Sequence, residues 1–249
     1  MITFNDIDKI YFLHLSDRYD RENWLNSQIN KMNFPQDKVN IWWTCRRNFI
    51  NDIWEKFPYL NKGNYITDRI KNNPTVGGGV FNCAFEHYTI IRTSYERGFN
   101  HILVCEDDIQ FNVDLELFKK FISLVPDNYG ICKFVNRYWV DNQIERNVST
   151  VCKEIPNENT IIENPYIIVN PPNWSTCCYL LDRVGMKEII NTYNQNFQVA
   201  DQVFENVHIP IYACNYNIIQ NQDYECPSIK YLWSDLWQLD TDKRWNQFK

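Results

Sequence analysis

Residues Ile102, Leu103, Val104 and Cys105 form a short apolar run that ends abruptly in three carboxylates, Glu106, Asp107 and Asp108. A continuous apolar run of this length reads as a strand buried on both faces, which requires helices on either side of a sheet. In open α/β sheets, ligands sit outside the carboxyl ends of the strands. Three acids at such an end repel one another and raise one another's pKa unless a cation joins them. Side chains alternate along a strand, so Glu106 and Asp108 are expected to face one way and Asp107 the other. Two hard oxygen donors on one side suit Mg²⁺ or Mn²⁺ carrying a phosphorylated ligand. Acids also follow strands simply to end them in solvent or to cap the next helix, so the surrounding chain decides the meaning.

Elsewhere strand and helix patterns alternate. Ile10 to Leu15 reads as a buried strand, followed by a helix with Leu25, Ile29 and Met32 on one face, Asp20 as its cap and Pro35 beyond its end. Val39 to Trp43 is a second strand, and Phe49 to Phe57 a short helix stopped by Pro58. Asn61 to Gly79 reads as a loop closing in three glycines. From there a helix runs to Tyr95, with Ala84, Tyr88, Ile91 and Tyr95 aligned and Gly98 at its C′ position. Asp114 can cap a helix carrying Leu115, Phe118, Phe121 and Leu124. Tyr129 to Val135 and Ser175 to Leu181 read as strands, the second leading into a helix capped by Asp182. Asp201 to Val207 is a short helix and Ile209 to Ala213 the last strand. Residues 136–172 are polar, with weak strand signals at 160–162 and 166–169. This order predicts one α/β domain over 1–249: a mostly parallel central sheet flanked by helices, with an irregular, aromatic-rich tail at 221–249.

Composition narrows the function. The chain carries 25 basic and 31 acidic residues, net −6, with no Lys/Arg run, which argues against a nucleic-acid backbone as the main ligand. Nine cysteines occur without a Cys-x-x-Cys, which argues against a zinc ribbon or a thioredoxin-type pair and fits thiols scattered in a reducing cytosol. Met1 to Asp8 lacks the basic start and apolar core of a signal peptide. No window approaches the roughly eighteen apolar residues of a membrane span, so a cytoplasmic protein is expected. Asn147 and Asn173 open glycosylation patterns that are accidental without a secretory signal. Trp233, Trp237 and Trp245 in the tail pack on the core or dock a partner or a membrane surface.

Other residues carry chemistry less openly. Gly77, Gly78 and Gly79 precede a helix start whose amides can receive an anion. They match neither the Gly-x-Gly-x-x-Gly nor the Walker pattern, and a plain turn is the simpler account. His87 stands one turn into that helix, with Cys83 four residues earlier at contact spacing. A packing role for His87 competes with a Cys-His pair, whose members usually come from distant segments. Asp201, between apolar neighbours, is either an N-cap or a carboxylate whose burial raises its pKa toward that of a general base. Asp223 and Glu225 are weaker choices for that base.

Taken in order, several segments resemble glycosyltransferase family 25, which includes lipooligosaccharide and collagen galactosyltransferases. The stretch Ile10 to Arg21 is similar to the family's opening strand and its Arg-x-Asp-Arg ending, with Leu15, Arg18, Asp20 and Arg21 matching and His14 in place of Asn. Gly79 to His87 resembles Gly-x-x-Gly-Cys-x-x-Ser-His, with Gly79, Cys83 and His87 fitting and Asn82 and Glu86 departing. Leu103 to Ile109 resembles Leu-Val-Leu-Glu-Asp-Asp-Val, and Cys178 to Gly185 resembles Ala-Tyr-Leu-Ile-Ser-x-x-Gly. Asp201 falls where the family expects an acid.

The resemblance implies a GT-A-type fold. It implies transfer of a hexose, galactose or glucose, from a UDP-sugar to a hydroxyl of a glycan, lipooligosaccharide or protein acceptor, with inversion. Mn²⁺ or Mg²⁺ would be held by Glu106 and Asp108, with Asp201 as base. Leu15, Arg18, Arg21, Gly79, His87 and Asp107 would border the sugar nucleotide. The polar stretch 136–172 is, by its composition, a candidate acceptor-side insertion. Two alternatives stay open: another metal-dependent enzyme acting on phosphates, and a non-catalytic sugar- or nucleotide-binding module of the same fold.

Overall fold

The structure, a computed structural model, describes residues 1–15, 18–44, 74–134, 138–140, 143–145, 155, 162–169 and 176–221. The expected helix at 49–57, the loop at 61–73, the 160–161 strand signal and the tail beyond Asn221 lie outside the described residues. So do Asp223, Glu225, Trp233, Trp237, Trp245, Asn147 and Asn173.

Among the described residues the centre is a seven-stranded sheet. In chain order its strands are β1 (Lys9–Leu15), β2 (Val39–Thr44), β3 (His101–Glu106), β5 (Ile131–Lys133), β8 (Tyr166–Val169), β9 (Cys178–Asp182) and β10 (Ile211–Cys214). Spatially they run β2-β1-β3-β9-β5-β10-β8. Five point the same way, while β9 and the edge strand β8 run against them. The sheet is therefore mostly parallel and flanked by helices, as expected. Its carboxyl end is nevertheless crossed by the amino end of β9, which lies between β3 and β5.

Alternation along the strands divides the interior into two layers. Ile10, Phe12, Leu103, Cys105, Cys132, Phe134, Cys178 and Leu180 face one side, against α1 (Tyr19–Met32) and α3 (Leu115–Ser123). Tyr11, Leu13, Ile102, Val104, Ile131, Tyr179 and Leu181 face the other, against α2 (Pro74–Glu96), α4 (Arg183–Gln195) and the short α5 (Ala200–Val203). In the first layer Phe4, Phe34, Phe111, Phe118 and Phe134 make a chain of edge-on and stacked rings. Each such ring contributes about 1.5–3 kcal/mol by burial, so this layer anchors the strands from below.

Local signals account for most helix ends. The Leu117 amide donates to Asp114 Oδ1 at 2.8 Å, and the Gly185 amide to Asp182 Oδ1 at 2.7 Å. Gly98 takes φ +82°; its amide reaches Tyr95 O, and the Phe99 amide reaches Ser94 O, closing α2 as a Schellman turn. Leu25, Ile29 and Met32 are all buried under the sheet.

Several expectations are corrected. The cap of α1 is Arg18, so Asp20 lies within the first turn. Helix α2 starts at Pro74, whose fixed φ suits a first helical position, and the three glycines lie inside it. Strand β5 covers only Ile131–Lys133, and Ile162 is not in a strand. Strand β10 is not the last: β11 (Ile219–Asn221) pairs antiparallel with β4 (Ile109–Phe111) just beyond the acidic turn. In the polar stretch after residue 136, β6 (Tyr138–Val140) and β7 (Gln143–Glu145) form an antiparallel pair.

The start of α4 touches β5 through two glycines. A Cβ at Gly185 would stand 1.9 Å from the Gly130 carbonyl oxygen. Gly185→Ala is expected to lower unfolding free energy by about 2–3 kcal/mol through overpacking. Val184→Ala, at a neighbouring position that is largely exposed, should stay within about 0.5 kcal/mol. Urea denaturation of the two variants checks this, and equal stability would contradict the close approach.

Candidate active site

β1 and β3 are parallel neighbours with Leu13 opposite Glu106, so the end of β1 meets the acidic turn. Asp107 points into the α1 layer. Its Oδ1 accepts from Arg21 Nη1 at 2.6 Å, and its Oδ2 lies 2.9 Å from His14 Nδ1 and 3.4 Å from the Leu15 amide. All three side chains are buried. Burial by itself would raise the Asp107 carboxyl, but the His14 hydrogen bond and the Arg21 charge outweigh it and hold it below the usual carboxylate range. An ionised carboxylate only accepts, so the His14 Nδ1 carries the proton in this pair. Arg21 Nη1 also lies 3.3 Å from Asp108 Oδ2, tying the acidic turn to α1.

Glu106 points to the opposite layer. Its Oε1 accepts from Thr176 Oγ1 at 2.6 Å and lies 3.4 Å from His87 Nε2. Its amide donates to the Cys177 carbonyl at 2.8 Å, a bond set by the antiparallel entry of β9. The Thr176 hydroxyl is also 3.2 Å from Asp201 Oδ1. One hydroxyl carries one proton and serves one carboxylate at a time, so Glu106 and Asp201 compete for it. His87 Nδ1 is 2.6 Å from the Tyr179 hydroxyl, and burial pushes that phenol well up, so it is neutral. Burial and then Asp201 raise the Glu205 carboxyl, and burial and then Glu106 raise the Cys83 thiol.

The residues expected from sequence divide as follows. Glu106 and Asp108 come together: one ligand atom each from Glu106, Asp108 and Cys177 lie within 4.8 Å of one another. Asp201 is the second residue of α5, behind Val199, and is not its cap. It reaches Glu106 through Thr176. His87 adjoins Glu106 directly. Arg21 spends a guanidinium nitrogen on Asp107 and Asp108. Arg18 is half-buried, and its amide donates to the Leu15 carbonyl at 2.8 Å. Gly79 sits inside α2, where helix geometry commits its amide to the carbonyl four residues back, so the glycine run is not the helix start expected to receive an anion.

Thr176, Cys177 and the buried Lys133, whose ammonium lies 4.7 Å from the Phe204 ring centroid, were not signalled by the sequence, and Tyr179 was visible only as part of a resembling segment, with no role. Thr176 and Cys177 carry no recognisable pattern; only the pairing of β9 with β3 brings them to Glu106. Cys83 and His87 were visible as a helical pair, but their approach to Glu106 was not.

Removing the Asp107 charge leaves Arg21 buried without its main counter-charge. Asp107→Ala is expected to cost about 3–5 kcal/mol of stability. Chemical denaturation measures this, and a loss under about 1 kcal/mol would show that the turn is held by other contacts.

A model of glycosyltransferase family 25 (LPS biosynthesis protein) matches residues 7–204. That span holds the acidic turn Glu106–Asp108, the Cys83–His87 helix and Asp201. No curated protein matches the chain. Among solved structures, A197 from STIV is similar at 13% identity, covering 83% of this chain and 82% of that one with a TM-score of 0.41. The apo form of mouse xyloside xylosyltransferase 1 is similar at 9% identity, covering 79% of each chain with a TM-score of 0.35. On the extent of the family match, the chain belongs to glycosyltransferase family 25.

Proposed function

We propose that the chain transfers a hexose, galactose or glucose, from a UDP-sugar to a hydroxyl of a glycan, lipooligosaccharide or protein, inverting the anomeric carbon on a GT-A-type fold. The observation that carries this reading is the Glu106–Thr176–Asp201 chain, which sets a cation-binding carboxylate and a second carboxylate on one hydroxyl. A hard divalent ion fits the carboxylate oxygens that Glu106 and Asp108 offer, while Cys177 Sγ beside them is a softer donor. When bound, Mn²⁺ or Mg²⁺ neutralises charge on the diphosphate and on departing UDP.

Asp201 takes the proton of the acceptor hydroxyl as its oxygen attacks the anomeric carbon. The bond from that carbon to the phosphate oxygen breaks in line, and UDP leaves. A single displacement inverts the centre and needs no protein nucleophile. Thr176 lies between the two carboxylates and donates to one of them at a time. Asp107, His14 and Arg21 hold the turn that presents Glu106 and Asp108, while Leu15 and Arg18 border the nucleotide at the end of β1. Residues 136–172 belong to the acceptor side. No helix among the described residues is long and apolar enough to cross a membrane. A cytoplasmic enzyme with peripheral membrane contact accords with a lipid-linked or soluble acceptor.

UDP release from a panel of UDP-hexoses, with Mn²⁺ or Mg²⁺ present or chelated, tests the reading. One donor is expected to be turned over only with metal. Asp108→Ala should abolish release, and Asp201→Asn should lower kcat by about 10²–10⁴-fold with UDP binding kept. Release unaffected by chelation, or by both substitutions, would contradict it. UDP binding without release under any acceptor would favour a binding module.

A further inference from the structure

The same carboxylate that faces Asp108 also faces a softer pair of ligands. Cys83 and His87 stand one turn apart on α2, so their side chains share a face of the helix. One ligand atom each from Cys83, His87 and Glu106 lie within 4.8 Å of one another. His87 is 1% exposed, and its Nε2 is buried and makes no hydrogen bond. It faces Glu106 Oε1 at 3.4 Å. Two ligands of a tetrahedral Zn²⁺, with Zn–N and Zn–O bonds of about 2.0–2.2 Å, are themselves about 3.4 Å apart. The pair is therefore spaced as two corners of such a site, with Cys83 Sγ as a third.

The shell behind the pair agrees. Tyr179 sits 2.6 Å from His87 Nδ1 and holds the ring so that Nε2 faces Glu106. A proton on Nε2 holds this pair when no metal is bound, and a divalent cation that takes Nε2 and Glu106 as ligands displaces it. Thiolate, imidazole and carboxylate together select a borderline-soft ion, unlike the carboxylate-rich Glu106–Asp108 side. Three protein ligands leave a fourth position for water or a substrate oxygen.

We infer that Cys83, His87 and Glu106 form a binding site for a thiophilic divalent cation of the Zn²⁺ type. Glu106 is a ligand of both positions, so a cation at one is expected to weaken binding at the other. Zn²⁺ is then an inhibitor that competes with Mn²⁺ or Mg²⁺; this consequence, unlike the site itself, rests on the proposed transferase reading.

Zn²⁺ binding to the full chain, measured by competition with a chromogenic chelator and without nucleotide, tests the site whether or not the protein transfers sugar. One ion per chain is expected, with Kd raised at least about tenfold in Cys83→Ser and in His87→Gln. Co²⁺ should give a thiolate charge-transfer band that is lost in Cys83→Ser and kept in Cys177→Ser. In the unsubstituted protein, Zn²⁺ should slow alkylation of Cys83, with chelation restoring it, a readout independent of how any variant folds. Absence of binding, wild-type affinity in Cys83→Ser, a band that follows Cys177, or Cys83 alkylation indifferent to Zn²⁺ would each overturn the inference.

Discussion

The carboxyl end of the sheet depends on burying one ionised carboxylate, Asp107. An uncompensated charge at that depth would cost several kcal/mol. Here Arg21 supplies the counter-charge from α1, while His14 and the Leu15 amide supply hydrogen bonds from β1. Two chain segments, α1 and β1, are thereby clamped to a single side chain. The clamp fixes its neighbours too, since Asp108 also lies 3.3 Å from Arg21 Nη1 and is buried with it. Glu106 is sent to the α2 layer, and Asp108 turns back toward Glu106.

The second constraint is topological. A wholly parallel sheet would place only strand ends and loops of like polarity beside Glu106. β9 runs the other way between β3 and β5, so its beginning, not its end, lies at the site. That reversal supplies Thr176 and Cys177 beside Glu106, and Tyr179 beneath His87. The chain then continues through α4 to α5, whose second residue, Asp201, returns to the Thr176 hydroxyl. The β10 to β11 connection closes the far side of the acidic turn by pairing β11 with β4.

Much of this was legible in the sequence because it is local. The apolar run into Glu106 marks β3, the caps Asp114 and Asp182 mark two helices, and Gly98 marks the end of α2. What was illegible is non-local or ambiguous. Three consecutive glycines read as a break, yet a helix seeded at Pro74 and packed along α4 absorbs them. Asp20 has the chemistry of a cap, but the helix starts at Tyr19 with Arg18 at the cap position. Thr176 is an ordinary threonine until the register of β9 against β3 is known. The Cys83–His87 pair is visible as a spacing, but its meaning rests on Glu106, nineteen positions beyond His87 in the chain and 3.4 Å away in space.

The central claim is that the acidic turn presents Glu106 and Asp108 as one hard-cation site that a diphosphate completes. Electron paramagnetic resonance of free Mn²⁺ tests it most directly, titrating the protein with and without UDP. The account expects Mn²⁺ to bind weakly alone and at least about tenfold more tightly with UDP, with the gain lost in Glu106→Gln. Equal Mn²⁺ affinity with and without UDP, or a gain unchanged in Glu106→Gln, would contradict it.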